Sequence, residues 1–361
     1  MRKYRYLHFT YAQRGDFASL RASNRRQIMI GFEACLKNDS GTEIVPGDKA
    51  DWRNWVSASK TRNWCRKDPL LDWLNLFGVE KGYEVDPAPD PRTDFQQFIF
   101  RKGREFEAAV IAYLATIAPV FAIASGVETV TSFDACQDTF EAMRHGEPII
   151  HQGVLRNPQS RTYGAADILI RSDVLHRLFP NALSDVEARV GAPGLNANDW
   201  HYRVVDVKFT GLKLDRHWHA ASEHLAYMVQ TFIYNEALGR IQGYLPPSSY
   251  LLGRGWSKGK NDCGSTNCMD RLASVPSNHE VRGKLLSSIG NEAVARASAV
   301  PAPYWWTDGC SAHVSRPWAV LREARLPRSK ASRGTTRFTP FNRRSSMSRR
   351  CSAATVFPAS S

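Results

Sequence analysis

The chain has 361 residues, 43% hydrophobic and 11% aromatic, enough for a large buried core in one large domain with extensions or in two small domains. Its net charge of +13 suggests a polyanionic partner, yet nine Lys or Arg and no acid fall at or after Arg325, so only +4 remains for the residues before it. No apolar run nears the ~20 residues that span a bilayer, the basic start has no apolar signal core, and seven irregularly spaced cysteines read as reduced thiols; the expectation is an intracellular protein, neither membrane-spanning nor secreted, with mitochondrial import left open.

Residues 1–94 read as an accessory region. Within it, "SASKTRNWCRKDPLLDWLNLFG" (57–78) predicts a short helix capped by Ser57 or Ser59, with an apolar stripe of Leu70, Leu71, Trp73, Leu74 and Phe77 ending at Gly78. A Pro- and Asp-rich joint covers 84–94. "FQQFIFRKGREFEAAVIAYLATIAP" (95–119) predicts a helix stopped by Pro119. "GVETVTSF" (126–133) and "EPIIHQGVLR" (147–156) read as short strands, and "YGAADILIRSDVL" (163–175) as a buried one. A loop insertion through "GAPGLNANDW" (191–200) leads to the strand "YRVVDVKFT" (202–210). "HWHAASEHLAYMVQTFIYNEALGRI" (217–241) reads as a long helix, "YLPPSSYLLGRG" (244–255) as a turn and a short strand, and "RGKLLSSIGNEAVARA" (282–297) as a further helix. Residues 256–325 form a C-terminal extension, and the Ser- and Arg-rich tail, 326–361, reads as disordered. This order predicts an α/β fold in which the strands on either side of the insertion pair as a wide hairpin under flanking helices.

Asp206 and Lys208 interrupt an otherwise apolar strand. Alternation puts them on one face, about 7 Å apart along the strand, with Val205, Val207 and Phe209 on the other. A buried, ionised carboxylate costs several kcal/mol unless a cation answers it; Lys208 or a metal ion would serve. Asp167 stands in the same position in "GAADILI". If the two strands are neighbours, these carboxylates converge and repel unless a proton or a divalent cation lies between them. Oxygen-only ligation suits Mg2+ or Mn2+. An aspartate capping a turn near Gly164 is the plain alternative. In the preceding helix, Glu107 shares the apolar face with Ile111 and Leu114, whereas Glu105 falls on the side of Ala109, Ala112 and Thr116; an acid complementing the helix dipole suits either. Gln230 and Tyr234, four apart, share a helix face, and their spacing alone marks them as ordinary core residues.

Taken in order, "GREFE", "GAADILI", "VVDVKFT" and "QTFIY" resemble the PD-(D/E)XK nuclease superfamily, in its RecB-like branch. Gly103 to Glu107, Gly164 to Asp167, Asp206 to Lys208 and Gln230 to Tyr234 correspond to that branch's four motifs, across about residues 95–255. Glu107 stands where many members have histidine. The resemblance implies a restriction-endonuclease-like core, a central mixed sheet flanked by helices, with N- and C-terminal extensions. It implies a Mg2+- or Mn2+-dependent deoxyribonuclease of repair or recombination, exonucleolytic rather than endonucleolytic, with nucleic acid, foremost DNA, as partner. It further implies Asp167, Asp206, Glu107 and the Val207 carbonyl as metal ligands, Lys208 beside the attacking water, and Gln230 and Tyr234 supporting the lysine or the substrate strand. A nuclease fold that binds nucleic acid without cutting it is the alternative. Some members hold an iron–sulfur cluster, but here Cys310 lies too far from Cys263 and Cys268 for the close triplet that would join Cys65, so no cluster is expected. His217, His219 and His224 raise a zinc alternative, for which exposed helix-start histidines are the plainer reading.

Overall fold

The runs rich in Val, Ile and Leu pair side by side, because strands this apolar must be covered on both faces. The computed structural model describes residues 30–46, 51–68, 70–83, 95–123, 129–259 and 264–298. Seven strands form one mixed sheet: β1 (Val56–Ser57), β2 (Val120–Ala122), β3 (Ile149–Asn157), β4 (Thr162–Arg171), β5 (Tyr202–Leu214), β6 (Ser248–Lys258) and β7 (Ala273–Pro276). Their spatial order is β2-β3-β4-β5-β6-β7, with β1 running parallel to the start of β4. β3, β4 and β5 are antiparallel neighbours, β5 and β6 are parallel, and β7 closes on β6 antiparallel. A separate hairpin joins β8 (Glu280–Val281) and β9 (Lys284–Leu285).

The helices are α1 (Thr61–Cys65), α2 (Leu70–Phe77), α3 (Phe95–Ala115), α4 (Phe133–His145), α5 (Ser172–Leu178), α6 (Asp185–Ala188), α7 (Leu225–Gln242) and α8 (Leu286–Ser298). On one face, Val110 and Leu114 of α3 and Val174 and Leu175 of α5 cover Ile168, Ile170, Val205 and Val207. On the other, Met143 of α4 and Met228, Val229, Phe232 and Leu238 of α7 cover Leu155, Leu169, Val204 and Leu251. α7 supplies the crossover between the parallel strands β5 and β6, and α1 and α8 pack against its outer side. It is therefore buried around most of its circumference, as a helix between two layers must be. No described helix is long and apolar enough to cross a membrane.

The wide hairpin forms as expected: Ile168 pairs with Val205 and Arg171 with Tyr202, and α5, α6 and a loop fill the connection. Residues past 255 also belong to the sheet, since β6 continues to Lys258 and β7 lies beside it. Three local expectations change. The 57–78 segment is two short helices rather than one. Ser57 pairs in β1, and the Ser57 and Ser59 hydroxyls bond each other at 3.0 Å instead of capping a helix. Of the expected stripe, Trp73 is buried while Leu70, Leu71 and Phe77 are exposed. In "GVETVTSF", Thr129–Thr131 is a 3-10 turn rather than strand. Ser132 then caps α4, its Oγ accepting the Ala135 N–H at 3.2 Å. Ala135, Cys136, Thr139, Ala142 and Met143 carry the helical period that betrays α4 in the sequence. The long helix begins only at Leu225, because Asp215 Oδ1 accepts the backbone N–H groups of His217 at 2.7 Å and His219 at 2.9 Å and holds that stretch as a loop. The 84–94 joint and the 326–361 tail lie outside the described residues.

Leu169 is fully buried at the sheet centre, and a Cβ on Gly153 would lie 2.6 Å from its Cδ1. Leu169→Ala is expected to cost about 2–5 kcal/mol, read as a lower denaturant midpoint with an unchanged slope.

Candidate active site

Register places the charged residues. Ile168 and Val205 are the last partnered pair of β4 and β5, and one step further Asp167 comes opposite Asp206, where the strands part. There the Asp167 carboxylate takes over from the backbone: its Oδ2 accepts the Val207 N–H at 2.7 Å. Val207 itself sends its side chain into the core under α3. Asp206 points to the opposite face and is 0% exposed. The Lys208 ammonium folds back to 2.5 Å from Asp206 Oδ2 and 3.8 Å from Asp167 Oδ2. Among the described residues Lys208 is the one cation at that carboxylate, and both Asp206 oxygens are buried with no backbone or neutral donor bonded to them. Lys208 Nζ also lies 5.6 Å from the centroid of the Tyr227 ring, on α7.

The helix motifs converge on the same place. Glu107 Oε1 is 3.0 Å from His151 Nε2 and accepts from Gln152 Nε2 at 2.5 Å, and that amide also reaches Asp167 Oδ1 at 3.4 Å. Gln152 thus bridges the two acids, and it does so with φ at +58°. That backbone region costs a non-glycine residue on the order of 1–3 kcal/mol and persists where its surroundings impose it. His151 and Gln152 were not singled out from the sequence; the signal was a polar pair in the middle of the apolar run "IIHQGVL". Glu105 instead faces outward, paired with Lys102 at 2.6 Å and Arg101 at 3.8 Å. On α7, Gln230 Nε2 donates to Tyr234 Oη at 3.1 Å. Tyr234 lies over Gly164, where a Cβ would come within 2.6 Å of its ring. β4 runs unbroken through Gly164, so Asp167 caps no turn there. Gly103 has no such constraint: a Cβ there would meet nothing within 4 Å.

Burial raises Asp167 well above the usual carboxylate range, and the Asp206 and Glu107 charges add to it; Lys208 and the Val207 N–H offset only part. For Lys208, burial acts downward, but the Asp206 and Asp167 carboxylates outweigh it and hold the ammonium charged. Burial acts upward on Glu107, yet the bonds from His151 and Gln152 keep it below its ordinary value. Burial, and then the Asp206 charge, push the Tyr234 phenol up, so it stays a neutral hydroxyl.

Three carboxyl groups thus face one ammonium. The buried oxygens of Asp206, answered only by Lys208, the disfavoured ionisation of Asp167 and the all-oxygen donor set fit a hard divalent cation. Glu107, Asp167 and Asp206 are nonetheless not drawn together within 4.8 Å; among the described residues the single His, Cys, Asp and Glu group that is consists of Asp215, His219 and His279. The histidine trio raised as a zinc alternative does not assemble among the described residues. His224 Nε2 accepts the Lys213 N–H at 2.9 Å, and His217 Nε2 accepts from Arg216 at 2.8 Å. Cys65 is buried and Cys268 half-buried, and Cys263 and Cys310 lie outside the described residues. No protein-family model and no curated protein matches the chain.

The raised Asp167 fixes a pH dependence. A carboxyl group that holds its proton more tightly folded than unfolded contributes stability at acidic pH and loses it as pH rises from the unfolded value, near ~3.9, through the raised folded value. Asp167→Asn keeps an acceptor for the Val207 N–H and removes the charge. With divalent ions chelated, the variant is expected to melt higher than wild type at neutral pH, with the gain shrinking as pH falls. Thermal unfolding across pH 4–8 measures it.

Proposed function

We propose that the chain is a metal-dependent nuclease that hydrolyses phosphodiester bonds, in DNA before RNA, on a restriction-endonuclease-like core of the RecB-like kind. The observation that carries this reading is Asp206, fully buried beside Lys208 and Asp167 where two strands separate, with more negative than positive charge around it. A fold gains nothing in stability from such an arrangement, whereas phosphoryl chemistry needs one. Asp167 and Asp206, with Glu107 and the Val207 carbonyl, would hold Mg2+ or Mn2+, which supplies activation of water and positive charge for the phosphate.

The other roles belong to the chain's own groups. The Lys208 ammonium, kept charged by its flanking carboxylates, orients the attacking water and neutralises charge that builds on the phosphate. Glu107, held by His151 and Gln152, fixes the Asp167 carboxylate through the Gln152 amide. Tyr234, with Gln230 behind it, closes the buried side of the cluster and offers a neutral hydroxyl. A polyanionic substrate is further supported by a cavity of about 230 Å³ lined by Arg66, Lys67, His224, Tyr227 and Arg282, together with Glu223. Tyr227 is common to that cavity and to the Lys208 contact. The same reading makes the protein an intracellular partner of nucleic acid.

The test is cleavage of end-labelled linear and covalently closed circular DNA with Mg2+, Mn2+ or chelator, beside Lys208→Ala, with circular dichroism as the fold control. Wild type is expected to cut only with metal, faster on linear DNA, and Lys208→Ala to lose about 10²–10³-fold in rate while still binding DNA. Wild type that binds but never cuts DNA or RNA identifies a nuclease fold that only binds. Equal cutting by both proteins removes Lys208 from the mechanism.

A further inference from the structure

A second cluster lies at the far end of β5, away from the buried aspartates. Asp215 follows the last residue of that strand, His219 follows a tight loop, and His279 comes from the turn between β7 and β8. One donor atom from each lies within 4.8 Å of the others, and all three residues are half-buried. Asp215 is already oriented. Its Oδ1 is held by the His217 and His219 backbone N–H groups, which leaves Oδ2 turned to the His219 ring. His219 Nδ1 lies 3.4 Å from that oxygen, is shielded from solvent, and has no hydrogen-bond partner. The His279 ring stands edge-to-face against the His219 ring, centroids 4.8 Å apart.

The separation itself is informative. At 3.4 Å the pair is longer than the ~2.7–3.2 Å usual for an N–H···O bond. Two ligands each ~2.0–2.1 Å from a tetrahedral zinc ion stand about 3.4 Å from one another. The loop that carries Asp215 and His219 is pinned by the intervening tryptophan. Trp218, between the ligands in sequence, has φ +68°, and its indole is clasped by Lys258 Nζ at 3.6 Å and Arg271 Cζ at 3.7 Å from the ring centroid. Two imidazoles and one carboxylate are a borderline donor set, suited to Zn2+ rather than to the Mg2+ of an all-oxygen site.

We propose that Asp215, His219 and His279 form a zinc site that clamps the end of β5 to the turn between β7 and β8, with the fourth coordination position left to water. The clamp is independent of the nuclease reading, since none of its ligands belongs to the Asp167–Asp206–Lys208 cluster.

The test uses full-length protein stripped with a chelator and titrated with Zn2+ against a chromophoric competitor, and with Co2+ followed by visible absorption. Wild type and Asp206→Asn are each expected to take up one equivalent at this site. The Co2+ spectrum should be that of a tetrahedral ion without thiolate charge-transfer bands. Asp215→Asn and His279→Gln should each lose the equivalent, and Zn2+ should raise the unfolding temperature of wild type but not of His279→Gln. The proposal is overturned by wild type that binds no zinc in competition, by retention of the equivalent in both variants, or by a thiolate spectrum, which would move the metal to cysteine.

Discussion

Asp206 is the constraint around which the rest of the site is arranged. A carboxylate with no exposure is held in place by one ammonium and no neutral donor. Taking such a group out of water costs several kcal/mol, and a single ion pair seldom returns more than that. Asp167, opposite across the strand gap, adds a second charge and is driven toward its protonated form by burial and by Asp206. Stability alone would replace this trio with apolar residues, as the flanking valines 204, 205 and 207 already are. The sheet instead separates at this point and supports the polar cluster from both faces, with α3 bringing Glu107 and α7 bringing Tyr234. A proton on Asp167 or a bound cation relieves the excess negative charge, and the proposed hydrolytic chemistry rests on the second of these.

The architecture makes the cluster possible. β5 pairs antiparallel with β4 over Tyr202–Val205 and parallel with β6 from Val205 onward, so from Asp206 it keeps only β6. On the other edge of β4, in β3, Gln152 adopts its left-handed backbone opposite Asp167 and reaches both Glu107 and Asp167. α7 crosses above, covered in turn by α1 and α8. Gly164 lets the Tyr234 ring approach β4, and a methyl group there would push the phenol away from the aspartates.

Much of this was legible in the sequence, because alternation in a strand is a strict rule. One polar residue at 206, two steps from another at 208, fixed both their shared face and the cost of burying them. The pairing of the strands around a thirty-residue insertion was legible too, since both were too apolar to lie at an edge. What could not be read was which polar residues of β3 meet Glu107, for that depends on the register of three strands and on a backbone outlier at Gln152. The start of α7 was misplaced for a similar reason. "HWHAASEH" carries helix-compatible residues, but the Asp215 side chain takes the backbone N–H groups of the loop before a helix can use them. The zinc-type cluster escaped because His279 is distant in sequence from Asp215 and His219, whereas the nearby His217 and His224, which invite grouping, are turned to other partners.

The most direct test of the central claim is calorimetric titration of Mg2+ into full-length wild type and Asp206→Asn. Mg2+ seeks oxygen ligands, so the imidazole-rich cluster at Asp215 does not compete for it. If the buried charge exists to hold a cation, wild type binds Mg2+ and the substitution, which leaves Lys208 paired with Asp167, abolishes that binding or weakens it at least ~10-fold, a change of about 1.4 kcal/mol. Equal Mg2+ affinity in the two proteins, or none in wild type, would contradict the account and leave Asp206 and Lys208 as a buried ion pair without chemistry.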